Sequence, residues 1–152
     1  MKYKPIRQSK IVTITSVIIG LFMLFECHVF AEKIKPFKSD GCSLFPEGSP
    51  EQKKLWLECC IAHDYAYWKG GTFQQRLEAD LNLKACVEKV ADLESGLIMF
   101  TGVRVGGTPL LPTPFRWGYG WRYPRFYKQL SSFDIQYINS LEEEVERGSK
   151  GQ

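Results

Sequence analysis

The sequence predicts a mainly α fold: an antiparallel two-helix hairpin stapled by two disulfides, with additional helices and loops toward the C-terminus. Three observations predict it. Two stretches, 49–68 and 72–93, each open on a hydroxyl residue with a glutamine three positions later, and Gly70-Gly71 separates them. Four of the five cysteines fall between Cys42 and Cys86, one in the loop before those two stretches and three within them. No segment shows the alternating apolar pattern of a strand.

The N-terminus reads as a targeting segment, 1–31. Lys2, Lys4, Arg7 and Lys10 precede an uncharged run from Ile11 to Phe25, and Val29-Phe30-Ala31 offers small residues for cleavage. Fifteen residues rise about 22 Å as a helix, short of a hydrocarbon core of about 30 Å. The expectation is therefore a secreted or periplasmic protein, 32–152; the alternative is a protein anchored through residues 11–25. Cleavage removes Cys27 and His28 and leaves Cys42, Cys59, Cys60 and Cys86 with a lone His63. Four cysteines in an exported chain read as two disulfides, with three possible connectivities. The remaining 16 basic and 16 acidic residues cancel, which argues against nucleic acid as a partner. An apolar content of 44% supports a packed core and excludes wholesale disorder.

The elements follow in order. Residues 40–48 (DGCSLFPEG) form a loop by their glycine and proline content. Ser49 caps the first helix, with Pro50 at its first position and Gln52 completing a capping box, and the helix runs to about Trp68. Thr72 and Gln75 cap the second, which runs to about Leu93; residues 40–93 make the core. An apolar, glycine-rich stretch from Ser95 to Gly107 forms a third helix, and an irregular proline-rich stretch, 108–127, follows it. Ile135, Ile138, Leu141 and Val145 sit at helical spacing in an acidic last helix, 133–147.

The hairpin makes a geometric prediction. His63 lies seven residues before Gly70 and Asp80 nine after Gly71, so the two face each other across an antiparallel pair. Cys59 and Cys86 lie beyond them in the same direction, which makes a Cys59–Cys86 bridge feasible. Cys60 points about 100° away around the helix, toward Cys42 in the preceding loop. A histidine oriented by an aspartate is a general base with a fixed tautomer. Asp64 leaves the helix on another side, where it can hold a hard cation with oxygens of the 40–48 loop. Such a cation polarises an ester carbonyl while a water activated by His63 attacks it.

The run Cys59-Cys60-Ile61-Ala62-His63-Asp64, with Tyr67, Asp80, Cys86 and Cys42, resembles the secreted phospholipase A2 superfamily in its compact prokaryotic form. The resemblance covers about Asp40 to Val87. It implies a phospholipase A2-like helical fold and calcium-dependent hydrolysis of the sn-2 ester of glycerophospholipids, with phospholipid or a membrane surface as partner. It further implies His63 and Asp80 as catalytic residues, Tyr67 as support of Asp80, and Asp64, Asp40 and Gly41 as the Ca2+ site. The loop Asp40-Gly41-Cys42-Ser43-Leu44-Phe45 departs from the family's glycine-rich form GCxCGxGG, and Ala66 stands where animal members have a half-cystine. That departure motivates two alternatives: a catalytically silent lipid- or envelope-binding module, and an esterase acting on another envelope lipid. No protein partner is legible.

Residues 95–133 carry five basic residues and no acid among many aromatics. The segment reads either as a lipid interface, with Arg116, Trp117, Tyr119, Trp121 and Arg122 at headgroup depth, or as a lid over the hairpin whose arginines pair with the acidic last helix.

Overall fold

The computed structural model describes residues 33–150, so the expected targeting segment lies outside the described residues. Four helices follow one another: α1 (Leu57–Lys69), α2 (Phe73–Val90), α3 (Leu93–Gly106) and α4 (Ser132–Lys150). There is no strand among the described residues. Helices α1, α2 and α3 are joined by short turns and pack in sequence, α1 on α2 and α2 on α3. No helix among the described residues is long and apolar enough to cross a membrane.

Helix α1 starts at Leu57, seven residues later than its capping box predicts. Ser49 Oγ does accept from Gln52 N at 3.1 Å, but the turn does not propagate. Trp56 N donates to Glu47 O at 3.1 Å and the Trp56 indole to Pro46 O at 2.6 Å, so tertiary ties replace the helical ladder there. The polar run Glu51-Gln52-Lys53-Lys54 is exposed and brings no apolar face to a helix.

At its other end α1 stops at Gly70, in the left-handed region with φ 68°. A Cβ there would come 2.8 Å from Gly118 Cα, so both conformation and close approach require glycine. Thr72 and Gln75 make both bonds of the expected capping box at the start of α2. Helix α2 ends at Val90 rather than Leu93 because Asp92 caps α3, accepting from Ser95 N at 2.8 Å. Helix α4 opens on a reciprocal pair: Asp134 N donates to Ser131 Oγ and Ser131 N to the Asp134 carboxylate.

Both disulfides form as the hairpin geometry predicts: Cys42–Cys60 and Cys59–Cys86, with Cα atoms 5.1 and 5.7 Å apart. They border a core of Trp56, Leu83, Val87 and Met99. A second cluster joins Trp68, Trp121, Ile34 and Ile138, which brings α4 onto the outside of α1.

The segment between α3 and α4 is a lid. Gly118 N and Gly120 N donate to Tyr67 O and Trp68 O, and the Trp121 indole donates to Lys69 O. These bonds satisfy carbonyls that the last turn of α1 leaves open. The Trp117 indole donates to Gly71 O at 2.9 Å. The buried Arg116 guanidinium donates to Gly118 O and Trp121 O, and Arg125 lies over the Trp121 ring and pairs with Asp134 of α4. The lipid-interface expectation is thus corrected for three of its five residues, because Arg116, Trp117 and Trp121 are buried: Trp121 caps α1, Trp117 bonds the hairpin turn at Gly71, and Arg116 bonds carbonyls of the lid itself. Tyr119 is half-buried, with its hydroxyl donating to Lys38 O, and Arg122 is exposed.

Candidate active site

The hairpin places His63 of α1 opposite Asp80 of α2. Both are buried, Asp80 completely, and His63 Nε2 lies 2.9 Å from Asp80 Oδ1. Tyr67, one turn beyond His63, donates from its hydroxyl to the same oxygen at 2.8 Å. Its ring stacks at a tilt on His63, with centroids 4.2 Å apart. The other carboxylate oxygen, Oδ2, accepts from Arg104 Nη1 at 2.5 Å and has Arg76 Nε at 3.8 Å.

These donors decide the charge of Asp80. Burial opposes its ionisation, but the hydrogen bonds from His63, Arg104 and Tyr67 outweigh burial and hold its pKa below the usual carboxylate value. Burial, reinforced by the charge of Asp80, pushes the Tyr67 hydroxyl well above the usual phenol value, so it remains a donor. An ionised Asp80 accepting at Nε2 assigns the proton of a neutral His63 to that nitrogen and leaves Nδ1 with its lone pair. Among the described residues no hydrogen bond reaches Nδ1.

His63 opens on a cleft of about 280 Å³. Its walls are apolar: Leu83 of α2, Ile98, Met99 and Val103 of α3, and Phe115 of the lid. Gly41 and Asp64 line the same cleft. Leu44, at 92% exposure, projects from the loop that forms one lip.

Asp64 occupies a different environment. Its carboxylate accepts a hydrogen bond from Ser39 Oγ at 2.6 Å, and among the described residues no lysine or arginine pairs with it. Burial raises its pKa to about 6, the Ser39 bond opposes that shift, and the charge of Asp40 adds to it. Tyr119 lies against the same charges: burial first, then Asp64 and Asp40, raise its hydroxyl. Gly41, with φ 75°, is held by a bond from its N–H to Ser39 Oγ. That left-handed φ is what calls for glycine; the nearest neighbour of an added Cβ, Glu47 Oε1 at 2.6 Å, is the end of a side chain that can move. Asp40 accepts from Ser43 Oγ at 3.0 Å. The donor set suits a hard cation: a buried carboxylate without a counter-charge, a second carboxylate near it, and a loop backbone between them. Among the described residues no three His, Cys, Asp or Glu side chains gather as a metal cluster, so further ligands would be backbone carbonyls and water.

Of the residues that the sequence assigned to the dyad and the cation loop, His63, Tyr67, Asp64 and Gly41 line one cleft, Asp80 is bonded to His63 and Tyr67, and Asp40 lies close to Asp64. Sequence reasoning missed three that hold them. Arg76 is buried and donates from Nε to Tyr67 Oη, from Nη1 to Tyr127 Oη, and from Nη2 to Val103 O and Arg104 O. It thereby caps the last turn of α3 and ties it to the dyad. Its spacing of four from Asp80 on one helix was the available signal. Arg104 is distant in sequence and was legible only as one charge of the basic segment. Ser39 had no signal. Gly107, at the end of α3, admits the Tyr67 ring: a Cβ there would come 2.7 Å from Tyr67 Oη.

No family model, characterised protein sequence or solved structure matches this chain. The functional reading therefore rests on the geometry of the site.

Proposed function

We propose that this protein hydrolyses a lipid ester with a His–Asp-activated water in the presence of calcium, as a phospholipase A2-like enzyme acting on the sn-2 ester of a phospholipid. One observation carries the reading. A buried His63–Asp80 pair, 2.9 Å apart, has its free ring nitrogen beside an apolar cleft that also contains the counter-charge-deficient Asp64.

In this mechanism His63 Nδ1 takes a proton from the attacking water, and Asp80 stabilises the resulting imidazolium. The same proton passes to the departing alkoxide oxygen. Tyr67 keeps Asp80 in register, and the cleft walls exclude water from the acyl chain. Calcium held by Asp64, with Asp40 and the Gly41 carbonyl, would supply positive charge at the ester carbonyl. Export to an oxidising compartment goes with this reading and is supported by the two disulfides.

Incubation with phosphatidylcholine and phosphatidylglycerol vesicles tests the proposal. Fatty acid is expected in calcium and not with chelator, and His63→Gln is expected to lower the rate by at least about a hundredfold. Unchanged release by that variant rejects the mechanism.

A second reading is a catalytically silent lipid- or envelope-binding module. Arg104 and Arg76 favour it, because they draw on the Asp80 charge that an imidazolium would need. Calcium titration by calorimetry separates the two: absence of binding at millimolar concentration favours the module. An esterase on another envelope lipid would use the same groups, and a substrate panel distinguishes it.

A further inference from the structure

We propose that Gly102 determines which acyl chains the cleft accepts, by keeping open the side through which the far end of a long unbranched chain leaves. The inference rests on the reading of the cleft as the acyl site of a lipid ester.

Ile98, Gly102 and Gly106 follow one another at a spacing of four on α3, and all three line the cleft. They form one row along its α3 edge. The row is filled at one end by Ile98 and closed at the other by Phe115, which lies 3.8 Å from where a Gly106 Cβ would be. At Gly102 a Cβ would meet nothing within 4 Å, so the row has a gap at its centre.

The other glycines near α3 have packing reasons. A Cβ on Gly96 would come 2.9 Å from Lys84 O of α2, and Gly107 makes room for Tyr67. Gly102 has neither reason, and its φ is not in the left-handed region. A glycine in the interior of a helix is unfavourable relative to alanine, and here that cost is offset by no contact within the protein. What the glycine preserves is empty space beside an apolar cleft. The cleft that Gly102 lines has hydrocarbon on Ile98, Met99, Val103, Phe115 and the exposed Leu44. Apolar space with no protein atom at the gap, open to solvent at the exposed Gly102, suits a methylene chain passing outward rather than a polar group that must be hydrogen-bonded.

Gly102→Ala and Gly102→Leu test this in the whole protein. One measurement is calcium-dependent hydrolysis of dihexanoyl and dipalmitoyl phosphatidylcholine in the same detergent micelles. The other needs no turnover: displacement of a dansylated undecanoic acid by hexanoic or palmitic acid. Gly102→Leu is expected to lower the palmitoyl-to-hexanoyl ratio at least about tenfold in both, with Gly102→Ala between it and wild type. The melting temperature is expected to rise by about 4 °C, because helix propensity improves at an open position. Equal loss for both chains, or no change for either, overturns the proposal. Should the leucine variant fold poorly, the alanine variant decides, since it adds one atom to open space. If wild type hydrolyses neither lipid, the hydrolase reading fails while displacement still tests Gly102. If wild type binds no fatty acid, the inference itself is overturned.

Discussion

The hairpin holds two buried aspartates whose surroundings are opposites. Asp80 is saturated: His63, Tyr67 and Arg104 donate to it, Arg76 stands close, and its charge is stabilised. Asp64 is sparsely served: the Ser39 hydroxyl, the Asp40 backbone and the neighbouring His63 favour its charge, but burial and the Asp40 carboxylate outweigh them. The two are carried by adjacent antiparallel helices, so their difference comes from what the rest of the fold delivers to each. Helix α3 brings an arginine and the lid brings Tyr127, which anchors Arg76, to the Asp80 side. The 39–43 loop brings only hydroxyls, backbone and another carboxylate to Asp64. A finished electrostatic environment suits a group that positions another. An unfinished one suits a group that awaits a cation.

Asp80→Asn tests the saturated side and carries the largest expected effect. It keeps the shape but leaves Arg104 and Arg76 without their counter-charge, and should lower stability by about 3–5 kcal/mol in urea denaturation. Activity should fall by about four orders of magnitude, because a neutral amide no longer selects the His63 tautomer. A loss within a factor of ten in activity would show that Asp80 serves the fold alone.

Asp64→Asn tests the unfinished side, and its sign is reversed. The folded pKa of about 6 lies above the ordinary carboxylate value of 3.8, so ionisation opposes folding. In calcium-free buffer the wild type should therefore lose stability as pH rises from about 4 to about 6, and lose no more above that. Asp80 behaves oppositely: its folded pKa is depressed, so its contribution is present above the unfolded pKa and is lost as pH falls below about 4. At pH 7 without calcium, Asp64→Asn should be more stable than wild type by up to about 3 kcal/mol. Calcium at a hundredfold excess over its dissociation constant should raise wild-type stability by about 2.7 kcal/mol and leave the variant unmoved. Thermal melts with calcium and with chelator, across this pH range, read both effects. A wild-type melting temperature indifferent to calcium would remove the contrast between the two aspartates.

Ser39→Ala is the smallest change. It removes the donor to Asp64 and the acceptor of Gly41 N–H, and should cost about 1 kcal/mol without calcium. The loss should shrink with calcium bound if the cation takes over the Asp64 oxygen. Chemical denaturation in the two conditions checks it.

The sequence alone determined what is local or nearly so. Gly70-Gly71 and the Thr72–Gln75 box define the turn, because a stop and a cap act through neighbouring backbone groups. Once that turn is defined, helical periodicity places His63 across from Asp80 and Cys59 across from Cys86. The core of the site was therefore legible. The same local rule misled at Ser49, where a capping residue was present but tertiary bonds to Glu47 and Pro46 replaced the first turns of helix. Tertiary structure alone decided the rest. Arg104 reaches Asp80 across 24 residues, the indoles of Trp117 and Trp121 reach the end of α1 across about 50, and Ser39 reaches Asp64 across 25. Charge and aromatic content left interface and lid equally open, since both use arginine and tryptophan. The unfilled carbonyls at the end of α1 drew the Trp121 indole and the Gly118 and Gly120 N–H groups inward, because a helix terminus must find donors and these groups of the connecting segment were within reach.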